Sequence, residues 1–401
     1  MTGEARKAPF RPLARFKRIG GARASWSGLA AQAVLLAVLA WLAYEMVANV
    51  RANLAAQGIA SGFGFLSHSA GFAVSQALIP YEQTDSYLRV FAVGLVNTLV
   101  VSAIGIVLAT ILGFAVGLGR LSPNWLLARL AGGYVELIRN LPLLYQILFW
   151  YLAVLGALPG PRQSLSPLPG VFLSNRGIVV PEPVPQASFA IVVAALALGI
   201  VVALGLGLYA RRALFRHGRV VRVWPYALAT VIGLPLAMAL LFGPPLTFDV
   251  PELRGFNFAG GVRLLPEFAA LTIALSTYTA AFIAENVRSG VLAVSRGQWE
   301  AGESLGLSRG QLLRLIVVPQ ALRVTLPPLA NQYLNLTKNS SLAVAIGYPD
   351  LFSVFAGTAL SQTGQAIEII AITMAVYLAI SLVTTTIMNV FNWRVARRGQ
   401  A

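Results

Sequence analysis

Residues 90–118 read VFAVGLVNTLVVSAIGIVLATILGFAVGL, a run without a single charged side chain. About 20 apolar residues, rising 1.5 Å each, cross the ~30 Å hydrocarbon core of a bilayer, so this stretch is long enough to span one. The whole chain has the same character. Of its 401 residues, 57% are hydrophobic and only 11% charged, against about a quarter charged in a soluble domain; mean hydropathy is +0.73. Similar apolar blocks predict eight spans, at roughly 27–50, 89–118, 132–158, 188–210, 224–243, 267–289, 324–346 and 367–392. The expected fold is an all-α, polytopic membrane protein. The basic start is followed by a long span without a small-residue cleavage site, so no cleaved signal is expected.

The net charge of +16 would suggest nucleic acid in a soluble protein. In a membrane protein it orients the spans, because Lys and Arg concentrate on the cytoplasmic side. With the tail 1–26 placed in the cytoplasm, 22 of the 30 basic residues fall on that side and six on the other, leaving Arg139 and Lys338 inside spans. Both termini are therefore expected to be cytoplasmic. Cysteine is absent and only His68 and His217 occur, which excludes thiol chemistry and argues against a metal site; no cofactor is expected. The outer segment 51–88 is rich in Gly and Phe and is expected to lie in the interface. Segment 159–187, with seven prolines, is expected to be an extended connector.

The loop 289–323 is the longest on the cytoplasmic side. Ser295 with Gln298, and Ser308 with Gln311, have capping-box spacing. Gly306 lies between them, where a helix can end in the left-handed region. Two helices are predicted, over Trp299–Leu305 and over Arg309–Val318, the second ended by Pro319. Glu300 would then sit in a first turn, favoured there by the helix dipole. Leu312, Leu315 and Ile316 form an apolar stripe that needs a partner surface.

Glu300-Ala301-Gly302, three residues, Gly306, nine residues, then Ile316-Val317-Val318-Pro319 resembles the loop signature of ATP-binding-cassette (ABC) importer permeases, E-A-A, three residues, G, nine residues, I-x-L-P. Gly302 and Val318 depart from it. Arg139-Asn140-Leu141-Pro142, Ala284-Glu285-Asn286, Pro319-Gln320-Ala321, Leu326–Gln332 and Lys338-Asn339-Ser340-Ser341-Leu342 resemble the polar amino acid branch. Segment 59–81 further resembles the general L-amino-acid permease subfamily.

The resemblance implies a type I importer fold with permease core in 89–158 and 267–395. Residues 27–88 would add a first span and an outer segment, and 159–266 an inserted helix pair with its loops. It implies that Glu300, Ala301, Gly306, Leu312, Ile316 and Pro319 couple the chain to separate ATPase subunits. The other implied partners are a second, homologous permease subunit and a periplasmic amino-acid-binding protein, at the bacterial inner membrane.

No phosphate-binding loop occurs, since Lys7, Lys17 and Lys338 stand in no such pattern; the chain is expected not to be an enzyme itself. Gly306–Gly310 matches the G-x-S-x-G form of hydrolases, but a strand and a histidine partner are missing. Gly113 and Gly117 are a common small-residue pair. Asn331, Asn335, Lys338 and Asn339 lie on one helical face. An intramembrane lysine costs about 2.5–3.5 kcal/mol on insertion scales, so this face is expected to line the translocation pathway rather than lipid. Pro327 and Pro328 are expected to interrupt that span. Glu285 is expected to pair with Arg288, and Glu136 with Arg139. The competing class is an ion-gradient-driven carrier, which also uses broken helices and midplane polar groups; a membrane anchor without transport is a third.

Overall fold

The computed structural model describes residues 26–56 and 62–397; the basic tail before Trp26 lies outside the described residues. The chain divides into a unit ending at Phe63 and one beginning at Gly64. The first holds helix α1 (Trp26–Ala56), whose apolar window Ala30–Val50 has no buried residue.

The second unit opens with α2 (Tyr87–Arg120), α3 (Trp125–Asn140) and α4 (Leu143–Leu148, widened into a π turn over Phe149–Leu155). Strands β1 (Leu165–Leu168), β2 (Val171–Ser174), β3 (Gly177–Val180) and β4 (Glu182–Pro185) follow, then α5 (Phe189–His217), α6 (Trp224–Leu228) and α7 (Leu234–Phe242). Next come β5 (Leu246–Asp249), β6 (Glu252–Arg254), β7 (Asn257–Ala259), β8 (Val262–Leu264) and α8 (Pro266–Leu292). The remainder is helical: α9 (Arg296–Ser304), α10 (Arg309–Leu312), α11 (Val318–Asn339), α12 (Leu360–Thr363) and α13 (Ala366–Arg397). Among the described residues seven helices are long and apolar enough to cross a membrane, or eight with one bent pair.

That bent pair replaces the straight span expected over 132–158. Helices α3 and α4 meet at 108°. Leu141 is extended, at φ −100° and ψ 129°, because the ring of Pro142 clashes with a helical predecessor and its nitrogen donates no hydrogen bond. The pair nonetheless runs the length of α8. Arg139 lies 3.9 Å from Glu285 towards one end of α8, and the Tyr151 hydroxyl donates to Glu267 at the other, 2.9 Å away.

Helix α8 is the spine, buried over 72% of its apolar window. Against it α2 packs Gly113 and Gly117. A Cβ on Gly113 would stand 2.6 Å from Ile283 Cβ, and one on Gly117 2.8 Å from Val287 Cβ. The small-residue pair is thus a true helix contact, in which the missing side chains let the backbones approach. Leu329 and Leu336 of α11 complete this core.

The loops at the end away from the α9–α10 hairpin are folded. Residues 159–187 are not a mere connector: β1, β2, β3 and β8 form a four-stranded antiparallel sheet, Ile178 opposite Leu264, while β4 pairs with β5 and β6 with β7. β1 to β3 pair with their neighbours in sequence, whereas the partners of β3 and β4 at β8 and β5 arrive from 246–264, a pairing too distant in sequence for local pattern to show. The Phe-rich segment also packs inward. Phe65 is buried with Tyr87, Leu351 and Phe355, and Asn97 donates to the carbonyls of Gln76 and Pro349, both at 2.8 Å. Asp350 is fully buried beside Tyr377 and accepts from the Ser353 amide at 2.9 Å; burial raises its carboxyl to about 6. Helix α5 packs on α7 and on the π turn Ala229–Gly233 that precedes it, where Gly199 admits the Thr230 carbonyl, and most apolar side chains of α5 and α7 stay exposed.

Candidate functional site

Two regions carry the residues singled out in the sequence. The first is the hairpin between α8 and α11. Helix α9 starts at Arg296, after Ser295 in extended conformation, but no side-chain cap forms there; Gln298 instead accepts from the Gln320 side chain at 3.2 Å. The expected capping box is therefore missing. The earlier start also puts Glu300 beyond the first turn, where the helix dipole gives little. Gly306 has φ +72°. Its N–H donates to the Glu303 carbonyl and the Leu307 N–H to the Gly302 carbonyl, at 2.9 and 3.3 Å, the two bonds of a Schellman motif. The second box, Ser308 with Gln311, is complete, so this serine is a helix cap.

Pro319 does not end the second helix. Residues Leu313–Val317 form a π turn, and α11 continues from Val318 with Pro319 in its first turn. The extra residue of a π turn makes room for the ring, and a first-turn nitrogen needs no helical partner. Pro327 and Pro328 likewise stand inside α11 without breaking it.

Leu312 is buried with Val294, Val317 and Ala321, and Ile316 packs against them. Gly302 is buried too; a Cβ there would meet Leu312 and Ile316. These residues hold the hairpin together. Facing outward are Glu300 and Ala301, with Leu315 at 61% exposure and Leu305 at 77%. The sequence pattern did not single out Leu305. Its signal was its place before the left-handed glycine, where the chain turns and the side chain cannot fold back on its own helix.

Above the hairpin, Glu285 gathers Arg120 of α2 in a short contact, Arg288 at 2.7 Å and Arg139 at 3.9 Å. The pairing with Arg288 is as expected. Arg139 does not pair with Glu136: it joins Glu285 and lies 5.2 Å over the Phe282 ring, because the α3–α4 bend brings it to α8.

The second region is the polar face of α11. Asn331, Asn335 and Lys338 are exposed and Asn339 is half-buried. Asn335 and Asn339 line a cavity of about 230 Å³ with Gln332, and with Tyr278, Thr279 and Phe282 of α8. Asn331 and Lys338 lie outside its lining. The α8 residues escaped the sequence reading because an isolated Tyr or Thr in an apolar span gives no pattern.

The sequence profile described as "Binding-protein-dependent transport system inner membrane component" matches residues 195–398. Protein YhdX of Escherichia coli, named as an amino-acid ABC transporter permease, is 53% identical over 362 residues, covering 90% of this chain and 91% of that one. The general L-amino acid transport system permease protein AapQ of Rhizobium johnstonii is 47% identical, with 90% of each chain covered. The glutamate/glutamine/aspartate/asparagine transport system permease protein BztB of Rhodobacter capsulatus is 40% identical, over 90% of this chain and 91% of that one. An ion-gradient-driven carrier has no support in this kinship. With its spans, its bent helix pair and its capped hairpin, the chain belongs to the family of binding-protein-dependent transport system inner membrane components.

Proposed function

We propose that this protein is the channel-forming permease subunit of an ABC importer for polar L-amino acids, working with separate ATPase subunits, a second permease subunit and a periplasmic binding protein. The observation that carries the reading is the hairpin, two short helices locked by a Schellman turn and a buried leucine, with Leu305 and Leu315 left exposed. Exposed apolar side chains on a rigid hairpin suit a protein partner. Here that partner is the ATPase, whose closure on ATP would swing the hairpin and the spans continuous with it. Glu300, Ala301 and Gly306 shape the docking face; Leu312, Ile316 and Pro319 support it from behind. The chain lacks a phosphate loop, so hydrolysis belongs to the partner. The test is uptake by the purified complex in vesicles: ATP inside should drive accumulation of labelled glutamate or glutamine without any ion gradient. Accumulation that needs a proton or sodium gradient instead would sink the reading.

The permease core we assign to 89–158 and 267–395, with 1–26 as basic tail, 27–88 as added span and outer segment, and 159–266 as insertion. Among the described residues the buried core draws on α2, α4, α8 and α11 and on none from α5 to α7, which supports that division. The hairpin end is proposed to face the cytoplasm and the strands the periplasm, in the bacterial inner membrane. The charge excess on the hairpin side supports this. Reporter fusions after Arg219 should read cytoplasmic and those after Gln163 periplasmic; two readings on one side would refute the orientation.

The polar face of α11, Asn331, Asn335, Lys338 and Asn339, is proposed as part of the translocation pathway, with Asn335 and Asn339 in the cleft against α8 and Asn331 and Lys338 on the exposed face beside it. Lys338→Leu is expected to lower uptake with the assembly intact, since a charge without an ion-pair partner among the described residues is removed. Single cysteines at 331, 335 and 338, in a chain that has no other, should react with small polar reagents. Protection of all three with and without ATP would make the face a helix contact instead.

A further inference from the structure

The hairpin end of the helices holds a second feature, which neither coupling nor the cleft uses. A cavity of about 350 Å³ opens between α3 and the ends of α2 and α8, lined by Arg120, Arg129, Arg288, Glu136, Gly132 and Gly133. With Arg139 and Glu285 beside it, four guanidinium groups face two carboxylates, a surplus of two positive charges. Glu285 occupies only some of the donors: Arg120 gives it Nη1, and Arg288 gives it Nε and Nη2, leaving N–H groups on both arginines free to bind elsewhere. Arg129, on the opposite wall, is exposed and makes no ion pair among the described residues. The two glycines leave the α3 wall bare, for a Cβ on either would meet nothing within 4 Å.

Arginine forks approaching from two walls suit the tetrahedral oxygens of a phosphate. Next to the cavity, α3 exposes Leu126, Leu130 and Leu137, between 56% and 64% accessible, and Trp125 at 72%. An anion site bordered by an apolar stripe and a tryptophan fits an amphiphile at a membrane boundary. Glu136 in the lining repels doubly charged inorganic phosphate more strongly than the single charge of a phosphodiester. We propose that this cavity binds the phosphate group of an anionic glycerophospholipid, clamping α3 to α2 and α8. Only the leaflet rests on the orientation proposed above: binding in detergent reads the cavity whichever way the chain is inserted, whereas the reporter fusions read the insertion.

The purified transporter, stripped of lipid in detergent, would be titrated with short-chain phosphatidylglycerol, phosphatidylcholine of equal chain length, or inorganic phosphate, reading the thermal unfolding midpoint. Phosphatidylglycerol should raise it saturably, at concentrations where the other two do not. Arg129→Ala, at an exposed site outside the Glu285 cluster, should raise the half-saturating concentration about tenfold, the scale of one hydrogen bond to a charged group. Gly133→Leu should do so by filling the cavity. Equal action of the two lipids, or wild-type titration by both variants, would overturn the proposal. A saturable shift by inorganic phosphate that Arg129→Ala removes would overturn the lipid as its source.

Discussion

Gly306→Val is expected to abolish coupled transport while the spans stay inserted. Gly306 sits at φ +72°, and a Cβ there would touch nothing within 4 Å, so the cost is conformational rather than a clash. A side chain in the left-handed region costs about 1–2 kcal/mol, a factor of roughly 5 to 30 in population. That strain falls on the one turn fixing α9 against α10, because the Schellman bonds to Gly302 and Glu303 depend on it. A Cβ on Gly306 meets no helix of the membrane body within 4 Å, so insertion should be normal. Purified mutant complex should either lose the ATPase subunits or retain them without substrate-stimulated hydrolysis. Normal uptake and normal stimulation would mean that the hairpin does not carry coupling. Gly302→Ala is a useful companion. It restores the residue of the family pattern yet pushes against buried Leu312 and Ile316, so a partial loss is expected there through packing rather than turn strain.

Removing the carboxylate of Glu285 should have the largest effect on stability. Arg120, Arg139 and Arg288, from three helices, converge on it, and no other acidic group pairs with them among the described residues. Glu285→Ala leaves three guanidinium groups repelling one another between α2, α3 and α8. Breaking a buried pair by deleting one partner costs about 3–5 kcal/mol. The side chains here are 15% to 42% exposed, and water screening brings the expected cost towards ~2 kcal/mol. The melting midpoint in detergent should fall by several degrees for Glu285→Ala and by less for Glu285→Gln, which keeps hydrogen-bond acceptance. An unchanged midpoint in Glu285→Ala would show that solvent already satisfies the cluster.

Most of the fold was legible in the sequence. Apolar blocks identify spans because lipid leaves a long polar-free helix almost no alternative, and α1, α2, α5, α8 and α13 lie close to where the hydropathy placed them. The hairpin was equally local: a glycine that must turn left-handed and a Ser–Gln box three residues apart act within a few residues, and both formed. Where a local signal competes with neighbours, the sequence reading failed. Pro319 looks like a helix end, yet a π turn before it absorbs the ring and the helix runs on. Ser295 and Gln298 have the spacing of a box, yet Gln320 from α11 captures the glutamine.

Tertiary structure alone decided the long-range features. The bend at Pro142 could be suspected from the proline, but its angle of 108° depends on how α3 and α4 both find the flank of α8. The sheet joining β3 to β8 needs two loops brought together by the intervening helix pair. Arg139 was assigned to Glu136 on helical spacing; only the fold presents it with Glu285. The cavities between α8 and α11, and between α3 and the ends of α2 and α8, belong to the same class. Their walls come from helices far apart in sequence, and side-chain periodicity reports which face of a helix is polar, not which other helix that face will meet.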